Sequence, residues 1–128
     1  ALKRDFRFMM KQRGGMLAKG RLLGLQFDTL FTDDLYFKIS RHANVMAKKI
    51  HAIFEDCGYK FLFDSPTNQQ FFVLPDAWYN TLAEQYAMSE MGKPDEEHTA
   101  VRICTSWATG DENVDRLCRD LDALLKAE

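Results

Sequence analysis

The 128-residue chain is expected to fold as an α+β domain, with N-terminal helices and a long helix packed on a small, mainly antiparallel sheet. Three observations predict this. Leu35, Ile39, Ala43, Met46, Ile50, Ile53 and Phe54 form one apolar stripe at helical spacing. Short runs rich in aromatic and β-branched residues follow at 59–63, 69–74 and 99–107. A second helical stripe, Val114, Leu117, Cys118, Leu121, Leu124 and Leu125, closes the chain.

The first element spans 2–14, with Leu2, Phe6, Met9, Met10 and Arg13 three or four residues apart. Gly14-Gly15 interrupts it, and Leu17, Leu22, Leu23, Leu25 and Leu30 carry a helical rhythm from Met16 to Leu30. Thr32 is placed to cap the long helix, Asp33 and Asp34 put negative charge in its first turn, and Gly58 stops it. At about 24 residues and 1.5 Å rise its length is roughly 36 Å, enough to span two structural layers.

Tyr59–Phe63 and Gln69–Leu74 read as strands joined by the turn Asp64-Ser-Pro-Thr-Asn68. Phe71-Phe72-Val73-Leu74 is apolar on both pleat faces, so cover is expected on both sides. Pro75 ends that strand, and Asp76 can cap a helix through Ala77, Leu82 and Tyr86. Residues 87–97 are ambiguous, with Gly92, Pro94 and three consecutive acids marking a loop before Thr99. In Thr99–Trp107, alternation puts Val101, Ile103, Thr105 and Trp107 on one face and Arg102, Cys104 and Ser106 on the other. Thr109 and Glu112 have capping-box spacing before the last helix.

Composition fits one ordinary globular core: 46% hydrophobic, 28% charged, formal net charge −2. No run of eighteen apolar residues occurs, and neither a membrane span nor a signal peptide is expected. Cys57, Cys104 and Cys118 have no CxxC spacing, which fits reduced thiols in a cytoplasmic protein and no metal site. Charge is uneven, however. Lys3, Arg4, Arg7, Lys11, Arg13, Lys19 and Arg21 face only Asp5 in the first 21 residues, on an arm that also carries Phe6, Phe8, Met9, Met10 and Met16.

Within that arm Lys11-Gln-Arg-Gly-Gly-Met-Leu-Ala-Lys-Gly-Arg-Leu-Leu-Gly24 sets four cations among four glycines. Each glycine inside a helix costs roughly 0.5–1 kcal/mol relative to alanine. Such bare backbone beside cations suits an anion such as a phosphate, and equally a solvated basic face. Arg102 is the other residue with chemistry in view. A mid-strand arginine is costly unless paired, and its planar fork can hold a carboxylate by two parallel bonds or bridge an acid such as Asp64. His42, His51 and His98 have no partner at ligand or triad spacing, and Cys104 reads as a small core residue. Phosphate-loop, dinucleotide and nucleophile-elbow spacings are absent.

Three segments in order, Lys11–Phe27, Asp64-Ser-Pro-Thr-Asn-Gln-Gln-Phe71 and Val101-Arg-Ile-Cys-Thr-Ser-Trp-Ala-Thr109, resemble the C-terminal third of the low-specificity threonine aldolases. These are β-eliminating lyases that use pyridoxal phosphate, of the aspartate aminotransferase fold type. The resemblance implies that residues 1–31 are the helical end of a large cofactor-binding domain and 32–128 a small C-terminal α/β domain. It implies cleavage of β-hydroxy-α-amino acids such as threonine to glycine and an aldehyde, in a homodimer or homotetramer. Arg102 matches the arginine that holds the substrate carboxylate. Lys11, Arg13, Lys19 and Arg21 match a segment near the cofactor phosphate or a neighbouring subunit's site. The lysine that binds the cofactor lies, in that family, in a Lys-Asn-Gly type motif that this sequence lacks, so no catalytic residue is assigned here and the chain resembles a fragment whose N-terminal cofactor domain is missing. The rival class is a non-catalytic interaction domain whose basic helix binds an anionic partner. Neither nucleic acid nor membrane is an expected partner of the enzyme.

Overall fold

The structure, a computed structural model, describes residues 3–126, which fall into two compact units, 3–36 and 37–126. Leu2, counted in the first helix by its spacing, lies outside the described residues.

The first unit holds helix α1 (Phe6–Gln12), helix α2 (Arg21–Phe31) and a 3-10 turn at Thr32–Asp34. Both helices are shorter than their sequence rhythm suggests. Gly14 takes a left-handed φ of +70°, and Gly15 donates to the Met10 carbonyl at 2.7 Å, closing α1. A Cβ on Gly15 would sit 3.3 Å from that carbonyl oxygen, a tight contact that the backbone would have to yield to by a few tenths of an ångström. Met16–Gly20 is then non-helical, a correction to the continuous helix expected from Met16. Neither helix buries a residue. Thr32 does not cap the long helix: its hydroxyl donates back to the Asp28 carbonyl at 2.6 Å. Asp33 and Asp34 turn the chain with φ of 52° and 59°, a conformation aspartate tolerates better than most residues.

The second unit is built on α3 (Leu35–Asp56), whose first two residues belong to the preceding unit. It buries Ala43, Met46, Ile50 and Phe54 of the expected stripe together with Ala47, while Ile39 and Ile53 are half-buried and Leu35 is exposed, and Gly58 ends the segment at φ +73°. The sheet is three-stranded and antiparallel, in the order β1 (Gln69–Pro75), β3 (His98–Cys104), β2 (Ser89–Gly92). Helix α4 (Asp76–Ala83) follows β1 directly, and α5 (Asp111–Leu125) ends the chain. Phe72 and Leu74 from β1, Val101 and Ile103 from β3, and Val114, Leu117 and Leu121 from α5 join Met46, Ile50 and Phe54 in one core. The Phe54 and Phe72 rings stack at 3.8 Å between centroids, locking helix to sheet.

Several expectations change. Residues 59–63 form only an isolated bridge, Phe61 to Phe72, because the chain bends away before a ladder is established. Ser89–Gly92, in the stretch the sequence leaves ambiguous, is a strand. The β1 faces are unequal: Phe72 and Leu74 are fully buried, Phe71 and Val73 only partly. Trp107 lies beyond β3 and is 71% exposed. Asp76 opens α4 without capping it, its carboxylate being taken by Thr99 and Lys93. The capping box does not form: Gly110 occupies the cap position, and the Thr109 hydroxyl accepts the Ser106 N–H at 2.8 Å. No helix among the described residues is long and apolar enough to cross a membrane.

Candidate substrate-carboxylate site

Strand alternation on β3 sends Val101 and Ile103 into the core and Arg102 to the opposite face. Antiparallel partners share a face, so register decides what flanks the guanidinium. Arg102 lies opposite Phe71 of β1 on one side and Ser89 of β2 on the other. Phe71 packs against Phe63 at 4.2 Å between ring centroids, which puts an aromatic wall beside the cation. Cys104 falls on the same face, opposite Gln69, and is exposed instead of lying in the core.

Arg102 donates from Nη2 to the Ser89 hydroxyl at 3.3 Å. Its Nε is buried and has no hydrogen-bond partner. None of the carboxylates among the described residues lies within ion-pair distance, so the bridge to Asp64 does not form; Asp64 sits exposed in the 64–68 turn. Leaving a buried donor unpaired costs about 1–3 kcal/mol, more for a charged group. An acceptor would relieve that cost, and a carboxylate is the chemistry that matches a guanidinium edge.

Ser89 and Phe63 were missed from the sequence. Ser89 sits on a four-residue strand with no clear alternation, and only Gly92, which bends β2 at φ +112°, signals a boundary there.

The four other candidates lie in the first unit. Lys11 lies in the last turn of α1, Arg13 follows that helix, Lys19 lies in the connection, and Arg21 opens α2. All four are exposed, and none makes an ion pair within the described residues. The α2 N-terminus carries no side-chain cap and no acid in its first turn, and a Cβ on Gly20 would meet nothing within 4 Å. Open backbone N–H groups with Lys19 and Arg21 beside them are a donor set that fits a phosphate.

The histidines hold structure. His42 Nε2 donates to the Thr109 carbonyl at 2.7 Å, His51 pairs with Gln70, and His98 with Asp95 at 2.7 Å. Among the described residues no three His, Cys, Asp or Glu side chains group as metal ligands.

Neither a protein-family model nor a curated protein sequence matches the chain. Solved structures do. A threonine aldolase of Leishmania major superposes with a TM-score of 0.87 at 35% identity over 97% of this chain. The chain spans 36% of that protein. Fold and sequence together therefore define this chain as a segment of an aldolase-type protein. More particularly, the chain is a relative of the threonine aldolases, equivalent to their C-terminal part.

Proposed function

We propose that the full-length protein is a pyridoxal-phosphate-dependent aldolase that cleaves β-hydroxy-α-amino acids, threonine to glycine and acetaldehyde among them. This segment supplies substrate-carboxylate binding and contacts to the cofactor domain and a neighbouring subunit. The observation that carries the reading is Arg102: a guanidinium with a buried, unpartnered Nε, no protein carboxylate in reach among the described residues and an apolar flank. The kinship with a threonine aldolase supports the choice of substrate class.

Pyridoxal phosphate, when bound, would supply an electron sink for cleavage of the Cα–Cβ bond. Lys11, Arg13, Lys19 and Arg21 would hold its phosphate, the fit being best where the uncapped α2 terminus meets Lys19 and Arg21. Arg102 holds the substrate carboxylate and so fixes the rotation about the Cα bonds, a contribution of position. The lysine that attaches the cofactor belongs to a motif outside these 128 residues, and the working assembly is a homodimer or homotetramer in the cytoplasm.

The test is direct. Full-length protein should purify with pyridoxal phosphate bound and release glycine and an aldehyde from threonine; the 128 residues alone should do neither. A colourless full-length protein that binds nucleic acid with a steep salt dependence would replace this reading with an interaction domain using its basic arm.

A further inference from the structure

We infer that Ser89 is a positioning residue for the carboxylate site, and that its being neutral is what keeps Arg102 available. The inference rests on the proposed role of Arg102 and deepens it. Register places Ser89 directly opposite Arg102 on the sheet face shared with Phe71, and among the described residues the only hydrogen bond of the guanidinium runs from Nη2 to the Ser89 hydroxyl. Arginine has several rotatable bonds and loses much freedom when held, so an anchored guanidinium needs something to anchor it. On the β1 side the residue directly opposite is Phe71, whose side chain offers no acceptor, and the hydrogen bond that forms is the one to β2.

A hydroxyl suits that task in a way other residues do not. It accepts one N–H and leaves the positive charge uncompensated, with Nε still lacking a partner. A carboxylate at this place would form the bidentate pair that the substrate should form, and would close the site. An alanine would leave the guanidinium to swing along the exposed side of β2. The short strand contributes to the geometry. Its register slips between Glu90 and Gly92, so Ser89 is held at the regular end of the ladder, beside Arg102.

The experiment uses the full-length protein with cofactor bound and measures kcat and KM for threonine together with the unfolding midpoint. Ser89→Ala should raise KM about three- to tenfold, the order expected for one long hydrogen bond of ordinary strength, with kcat within about twofold and the midpoint unchanged. Ser89→Thr retains the hydroxyl and should restore KM. Ser89→Asp should raise KM by as much as Arg102→Ala does, because the protein's own carboxylate then occupies the guanidinium. If Arg102→Ala raises KM while Ser89→Ala and Ser89→Asp leave it unchanged, the positioning role is wrong and the carboxylate reading survives. If Arg102→Ala itself leaves KM unchanged, both fall. A raised KM together with a lowered midpoint in Ser89→Ala, not rescued by threonine at that position, would make Ser89 a structural residue and overturn the inference.

Discussion

Gln70 Oε1 accepts a hydrogen bond from His51 Nδ1 at 2.9 Å, joining β1 to α3 through a nearly fully buried amide. The geometry fixes who donates. Gln70 Nε2 gives one hydrogen to the Ser65 carbonyl at 3.0 Å and the other to the Thr67 carbonyl at 2.8 Å, so the side-chain oxygen must face histidine and Nδ1 must carry the proton. The His51 ring stacks on Phe61 at 4.2 Å, and the turn 64–68 is thereby tied to the helix.

This network is expected to be structural. Gln70→Leu strands two carbonyls and one imidazole N–H, and should cost about 2–3 kcal/mol. Gln70→Glu sets a carboxylate against the same carbonyls and should also destabilise. Urea unfolding of both variants checks the point; a shift below about 0.5 kcal/mol would mean water replaces the amide without loss.

Acid should loosen the second unit at the Asp76 end of the sheet. The hydrogen bond from Lys93, then that from Thr99, hold the Asp76 carboxyl below its ordinary value, and Lys49 does the same for Asp111. A carboxyl depressed in the folded state adds stability that is present above its unfolded value, about 4, and is lost as pH falls through the folded one. Unfolding midpoints should therefore drop below about pH 4, and Asp76→Asn should flatten that acid limb. An unchanged limb in Asp76→Asn would show that these exposed pairs contribute nothing.

The first unit leaves its apolar side chains in solvent: Leu22 is 78% exposed, Phe8 72% and Phe27 62%. So many large apolar side chains are seldom all left in water. The 128-residue chain should bind a hydrophobic dye and self-associate, Leu22→Ser with Phe27→Ser should reduce both, and the full-length protein should show neither. Sedimentation as a monomer with no dye binding would contradict this.

What could be read from the residues was what period alone decides. The α3 stripe, the inward pair Val101 and Ile103, and the outward turn of Arg102 follow from spacings of 3.6 and 2. Caps were less legible, since Thr32, Asp76 and Thr109 each had a competing partner that sequence does not display: the Asp28 carbonyl, Lys93 with Thr99, and the Ser106 N–H. Strand β2 was hidden because four residues carry too little pattern, and it exists through pairing with β3. The Arg102 site was therefore half legible. Its arginine came from alternation and from the motif, whereas its Ser89 and Phe63 neighbours came only from register and packing.

The role of Arg102 is tested most directly by the kinetics of its own variants in full-length protein. Arg102→Ala should lower kcat/KM for threonine by one to three orders of magnitude, about 2–4 kcal/mol, with bound cofactor and unfolding midpoint near those of the parent. Arg102→Lys keeps the charge without the fork and should fall between the two. An alanine variant that loses stability while its kcat/KM stays unchanged would contradict the account and make Arg102 a residue of the fold alone.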